Sequence, residues 1–134
     1  MSEWWQWSPI QANQKLGFAV VGIGRFGSAV CRELLRNGAD VLAVDSSEKA
    51  IEELRQLEPT IEARVVDSTD EESMKEAGVL EMGTVVVGIS EPIEASITTT
   101  LIAKDTEGSL VKQVIARATS DLHEKMLKRV GADR

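Results

Sequence analysis

Cysteine and histidine are nearly absent: each occurs once among 134 residues. One cysteine excludes an intrachain disulfide. One cysteine with one histidine falls short of the usual zinc ligand set, and no metal site is expected. Basic residues are also scarce. Fifteen Lys and Arg stand against 22 Asp and Glu, for a net charge of −7. So acidic a chain lacks the basic footprint of a nucleic-acid binder. No run approaches the roughly 18 apolar residues of a membrane-spanning helix. No basic stretch followed by an apolar run opens the chain, so no signal peptide is recognised. These absences predict a soluble, cytoplasmic protein in a reducing compartment.

The length matches one domain at about 150 residues each. Such a chain buries about two thirds of its unfolded surface and needs no covalent staple. The hydrophobic fraction of 43% and charged fraction of 28% are ordinary for a globular protein. Residues 1–16 stand apart. They hold Trp4, Trp5, Trp7 and Pro9 without a period of 2 or 3.6. They read as an irregular tail, or as an aromatic patch for a partner.

From residue 17 a regular alternation begins. Phe18-Ala19-Val20-Val21 reads as a strand buried on both faces. Residues 25–37 read as a helix with Phe26, Val30 and Leu34 on one stripe and Cys31 and Leu35 beside them. Val41–Val44 is a second strand, and 47–57 a helix facing inward with Ile51, Leu54 and Leu57. Ile61–Val66 is a third strand. Thr69 and Glu72 have capping-box spacing for a short helix that stops at Gly78. Val85–Ile89 is a fourth strand. Pro92 opens a helix with Ile93, Ile97 and Leu101 on one stripe. Val111–Ala116 is a fifth strand. Ser120 caps a last helix with Leu122, Met126, Leu127 and Val130 inward. Five alternations predict an α/β fold, a doubly wound, Rossmann-like parallel sheet with helices on both faces. Residues 17–134 form this one domain.

The chemistry concentrates in Gly22-Ile23-Gly24-Arg25-Phe26-Gly27, which matches G-x-G-x-x-G between a strand and a helix. Gly22 permits the tight turn, Gly24 lets a phosphate reach the backbone, and Gly27 lets helix and strand pack closely. The helix N-terminus offers free N–H groups to the phosphate. Asp45 ends the second strand 18 residues beyond Gly27. A carboxylate there accepts ribose hydroxyls and repels a 2′-phosphate, so NADP is disfavoured. As the alternative, Asp45 with Ser46 and Ser47 makes only a turn. Asp67 holds the matching place on strand three. It borders the adenine, or with Ser68 and Thr69 it serves the turn. Arg25 is placed to fork onto a phosphate, reach a neighbouring subunit, or point to solvent. Arg117, after the fifth strand, faces either the ligand or solvent. Gly88-Ile89-Ser90 is expected to line the crevice with its backbone. His123, beside Glu124 and Lys125, reads as part of a solvated face. Cys31 reads as a small core residue, and Asp70-Glu71-Glu72 as a complement to a helix dipole.

These motifs resemble the N-terminal nucleotide-binding domain of potassium-transport regulators, the RCK or KTN (TrkA-N) domains, with the Ktr-type soluble subunit nearest. The resemblance runs from about Phe18 to Arg134. It rests on Ala19–Gly27 with its Arg25-Phe26 pair, Leu42–Asp45, Asp67-Ser68-Thr69, Glu94-Ala95-Ser96 with Thr98-Thr99-Thr100, and Gly131-Ala132-Asp133-Arg134. It implies a cytoplasmic regulator at the inner face of the plasma membrane, bound to a membrane potassium transporter subunit. It implies dimers, an octameric ring in the full-length protein, and ATP, ADP, NAD or NADH as ligand. The glycine loop, Arg25, Asp45, Asp67 and Arg117 fall on family ligand positions. Ser68 departs mildly, since the family commonly has a smaller residue there. Family chains continue into a sixth strand and usually a smaller domain, so this chain reads as truncated at its sixth strand. The expectation is a non-catalytic regulator. The alternative is a cofactor-binding fragment of an NAD-dependent dehydrogenase, which would need a substrate region and a placed acid or base.

Overall fold

The computed structural model describes residues 17–134. The Trp-bearing tail lies outside the described residues. Five strands alternate with five helices: β1 (Phe18–Val21), α1 (Arg25–Arg36), β2 (Val41–Asp45), α2 (Glu48–Leu57), β3 (Glu62–Val65), α3 (Glu71–Ala77), β4 (Thr84–Val87), α4 (Ile93–Asp105), β5 (Gln113–Ala116) and α5 (Asp121–Arg129). A short 3₁₀ turn, Val79–Glu81, leads into β4. The strands are all parallel, in the order β3-β2-β1-β4-β5. The chain starts at the centre, winds to one edge, then crosses to the other side. That reversal opens a crevice at the strands' carboxyl ends, between β1 and β4.

β1, β2 and β4 are buried because both faces are covered. On one face Phe18, Val20 and Ala43 pack under Val30, Cys31 and Leu34 of α1 and Ile51 and Leu54 of α2. On the other, Ala19, Val21, Val44 and Val85 meet Met74 of α3 and Ala103 of α4. Each buried Val, Leu or Phe contributes about 1.5–3 kcal/mol. Ser47 and Ser120 cap α2 and α5, accepting from the Ala50 and His123 N–H groups. At the outer edge of β5, Asp133 N–H donates to Val114 O and Ala116 N–H to Arg134 O, each at 2.8 Å. The last residues therefore run parallel to β5, where the sixth strand is expected.

Several side chains depart from the expected pattern. Asp70, not Thr69, caps α3 by accepting from Ser73 N–H, because Thr69 is engaged by Asp67. Phe26 is 36% exposed, since the first turn of α1 stands at the mouth of the crevice. Leu57, expected inward, is exposed at the end of α2. On α4 the expected stripe is inward only in part: Ile93 and Ile97 are half-buried. Ser96, Thr99, Thr100 and Ala103 are buried while Leu101 is exposed. Small residues fit the close approach to the sheet, and hydroxyls there find partners in Ser68 and in the Ser96 carbonyl. On α5 the inward residues are His123 and Leu127, while Leu122 and Met126 face out. His123, read as solvated, is seated by bonds to Ser96 and Thr119.

Candidate functional site

The crevice begins where β1 ends. Gly22 has φ +94°, and a Cβ on it would stand 2.9 Å from both the backbone nitrogen and Cγ1 of Ile89. A Cβ on Gly27 would collide with the Gly22 carbonyl oxygen. Both glycines are needed for the loop to lie flat against β4 and α1. Gly24 differs: a Cβ there meets nothing within 4 Å. It is the N-cap of α1, without a side-chain cap and with no acidic residue in the first turn. By contrast α2, α3 and α5 are capped by side chains and carry acids in their first turns. α1 thus turns bare N–H groups and its positive dipole end toward open space.

Asp45 closes the neighbouring wall. Ile23 N–H donates to its Oδ2 at 2.6 Å and Ser47 N–H to its Oδ1 at 2.8 Å. One carboxylate fastens the glycine loop to the end of β2 and starts the turn into α2. Each oxygen keeps acceptor capacity for a further donor. At the end of β3, Thr69 donates both its hydroxyl, at 2.6 Å, and its N–H, at 2.9 Å, to Asp67 Oδ1. These bonds, the hydroxyl's first, hold the Asp67 carboxyl below the usual carboxylate range. Ser68 is buried, with its Oγ 2.8 Å from Thr99 Oγ1 on α4.

Together these elements line a cleft of about 360 Å³. Ten of the residues singled out in the sequence border it: Gly22, Ile23, Gly24, Asp45, Ser46, Asp67, Ser68, Thr69, Gly88 and Ser90. So does Ile89. Four do not: Arg25, Phe26, Gly27 and Arg117. Gly27 is buried behind the loop. Arg25 and Arg117 are exposed. Arg117 N–H donates to Val87 O, and its guanidinium lies 5.3 Å from the centroid of the Phe26 ring. This cation–π pair stands beside the cleft, on the β5 side of Gly88. Sequence reasoning missed Val21, Glu91, Pro92 and Ala95, which also line the cleft. The signal was available for the last three: the turn from β4 into α4 must border a crevice at the β1–β4 reversal.

Residues 18–134 match the TrkA-N domain family. Over 119 residues the chain is 40% identical to Ktr system potassium uptake protein C of Bacillus subtilis, covering 89% of this chain and 52% of that protein. It thus spans about half the length of that relative. The NAD(P)-binding domain of an exopolyphosphatase-related protein from Archaeoglobus fulgidus superposes with a TM-score of 0.75 at 25% identity, over 88% of this chain and 84% of that one. The GsuK channel bound to NAD shares the fold, with a TM-score of 0.74 at 17% identity over 88% of this chain and 20% of that one. By sequence and by fold, the chain belongs to the TrkA-N domain family.

Proposed function

We propose that this domain senses an adenine nucleotide, ATP/ADP or NAD(H), and reports its presence to a membrane potassium transporter subunit. One observation carries the reading. The uncapped start of α1, with open space at Gly24, faces the same cleft as the Asp45 carboxylate. The first suits a phosphate and the second a ribose. The cradle therefore fits the group that the family implies. Ile23, Gly24 and the first turn of α1 hold phosphate. Asp45 and Ser46 hold the ribose, and the Asp45 charge disfavours NADP. Asp67, Ser68 and Thr69 border the base, and Gly88 and Ser90 the opposite wall. Arg25 and Arg117 flank the mouth as cations for phosphate, with Phe26 as the rest for Arg117.

The Ktr system relative supports a role in potassium transport. No helix among the described residues is long and apolar enough to cross a membrane. The domain works from the cytoplasmic face of the plasma membrane, attached through its transporter partner. It is a regulator and not an enzyme. The Ktr system relative supports the regulator, and the chain's one histidine is buried with both ring nitrogens engaged and does not line the cleft. Copies associate as dimers, and in the full-length protein as an octameric ring. Thermal unfolding tests the ligand class, because a ligand bound only to the native state raises the melting temperature. ATP, ADP, NAD or NADH should stabilise the chain, and NADPH should not. Stabilisation by none of the four, or by NADPH alone, refutes the reading.

A further inference from the structure

His123 is the chain's one histidine, and it is 1% exposed. The backbone N–H of Thr119 points at its Nδ1, 3.1 Å away. A backbone N–H can only donate, so Nδ1 must be the bare nitrogen. Nε2 then carries the proton and donates to Ser96 Oγ on α4, at 3.1 Å. The arrangement needs a neutral imidazole in one tautomer. Ser96 is itself fully buried, and its carbonyl accepts from Thr100 Oγ1. One turn further along α4, Thr99 meets Ser68 in the cleft wall. Buried hydroxyls of α4 thus bond separately toward the cleft, through Thr99, and toward α5, through Ser96. The inward side of α4 offers only Ser96, Thr99, Thr100 and Ala103 as fully buried residues, so directional bonds do much of the anchoring.

We propose that His123 is a proton-sensitive latch that seats the first turn of α5 against α4 and the 117–120 loop. Neutral, it accepts from Thr119 N–H and donates to Ser96 Oγ. Protonated, it still donates to Ser96, but its new N–H stands against the N–H of Thr119, so that bond is lost, and only the Thr119 hydroxyl, 3.3 Å from Nδ1, remains beside it to accept. The new charge also sits in the first turn of a helix, against its dipole, and away from water. The elements packed on the ring are α4, α5 and the 117–120 loop. Their charged residues are Glu94, Lys104 and Asp105 on α4, Arg117 in the loop, and Asp121, Glu124, Lys125, Lys128 and Arg129 on α5. All are exposed except Lys104, which is paired with Asp133. Glu124 is paired with Lys128. No ion pair to His123 occurs among the described residues.

Histidine-labelled nitrogen NMR on the whole chain reads this single ring directly. At neutral pH the ring should be the neutral Nε2–H tautomer. On acidification, ring protonation and loss of amide-exchange protection across Asp121–Leu127 should coincide, while β1 and β4 stay protected. An Nδ1–H tautomer or a charged ring at neutral pH overturns the proposal. So does a ring that protonates while α5 stays protected, or one that stays neutral until the whole sheet unfolds. His123→Gln keeps a donor for Ser96 without titrating, and should lose the acid-dependent step. A variant that keeps this step at the same pH overturns the latch. If the variant does not fold, the measurement on the parent ring decides alone.

Discussion

Ile23 donates its backbone N–H to Asp45 Oδ2 at 2.6 Å, while Ser47 N–H occupies Oδ1 at 2.8 Å. The carboxylate expected to serve a ligand therefore also shapes the loop that would hold it. Asp45→Ala removes both bonds. Hydrogen bonds to charged groups contribute about 1.5–3 kcal/mol each, and partial exposure brings these toward the lower end. Asp45→Ala should lose about 1–3 kcal/mol in urea unfolding. Its nucleotide affinity should fall about tenfold to a hundredfold by calorimetry. Asp45→Asn, which keeps an acceptor oxygen without the charge, should lie between. Unchanged affinity in Asp45→Ala counts against the ribose assignment.

Gly24 and Gly27 should separate binding from folding. A methyl on Gly27 runs into the Gly22 carbonyl oxygen, which is backbone and cannot swing aside. Gly27→Ala should cost about 1–3 kcal/mol or more. Gly24 has φ −87°, open to any residue, and empty space before it. Gly24→Ala should stay within about 1 kcal/mol of the parent, yet weaken nucleotide binding by filling the phosphate's place. A Gly24→Ala chain that binds every tested nucleotide as the parent does would remove the phosphate from this loop.

The sheet and the cleft were legible because their signals are local. Valine runs mark strands buried on both faces, and G-x-G-x-x-G between strand and helix fixes where the crevice opens. What the pattern misread were helix faces set by contact rather than period. On α4 the Ile93, Ile97, Leu101 stripe is the expected hydrophobic signal, yet Ser96 and Thr99 face in, because their hydroxyls have partners on α5 and at Ser68. His123 looked solvated from its neighbours Glu124 and Lys125. Its partner Ser96 lies 27 residues away, beyond any local window. Arg117 and Phe26 carry no pairing signal in one dimension, since the fold alone brings β5 beside the start of α1.

Asp67 sets a pH dependence with a definite sign. Bonds from Thr69 hold its folded pKa below the ordinary value, near 3.9 for aspartate. A carboxyl depressed on folding adds stability above its ordinary pKa, and loses it as the pH falls through the folded one. The turn at 67–69 should therefore tighten the domain at neutral pH and cease to do so in acid. Thr69→Val removes the hydroxyl bond and keeps the N–H bond. Carbon NMR of the Asp67 carboxyl should show its midpoint moving part of the way back up in that variant. A midpoint that does not move assigns the shift elsewhere.

Burial pushes the Cys31 thiol up to about 12. The thiolate is the nucleophile, so at pH values below that the native side chain is inert. A thiol reagent at mildly alkaline pH should label the folded chain only as fast as it opens. Labelling should become complete at once in denaturant. Fast labelling of the native protein would mean that α1 leaves the sheet far more often than its packing allows.

Assembly should follow from the outer face of α4. Leu101 is 43% exposed, and on the adjacent α5 Leu122 is 67% and Met126 41% exposed. These side chains point away from the core on two neighbouring helices, flanked by both signs of charge: Asp121 and Glu124 against Lys125, Lys128 and Arg129. A two-fold contact is self-complementary, so each residue counts twice. Fully burying an exposed Leu contributes about 1.5–3 kcal/mol, so covering the part of Leu101 still exposed contributes about 0.6–1.3 kcal/mol per copy. Removing Leu101 from both copies should therefore weaken a dimer by about tenfold to a hundredfold, since 1.4 kcal/mol is about one decade. Leu101→Glu also places like charges across the axis, and leaves the interior of α4 untouched. Light scattering over a concentration series reads the outcome. The parent should show at least twice the 14.6 kDa chain mass, and Leu101→Glu should approach the single chain with its melting temperature little changed. A parent that stays monomeric at high micromolar concentration with nucleotide present refutes the dimer. A Leu101→Glu chain that associates like the parent moves the contact off α4.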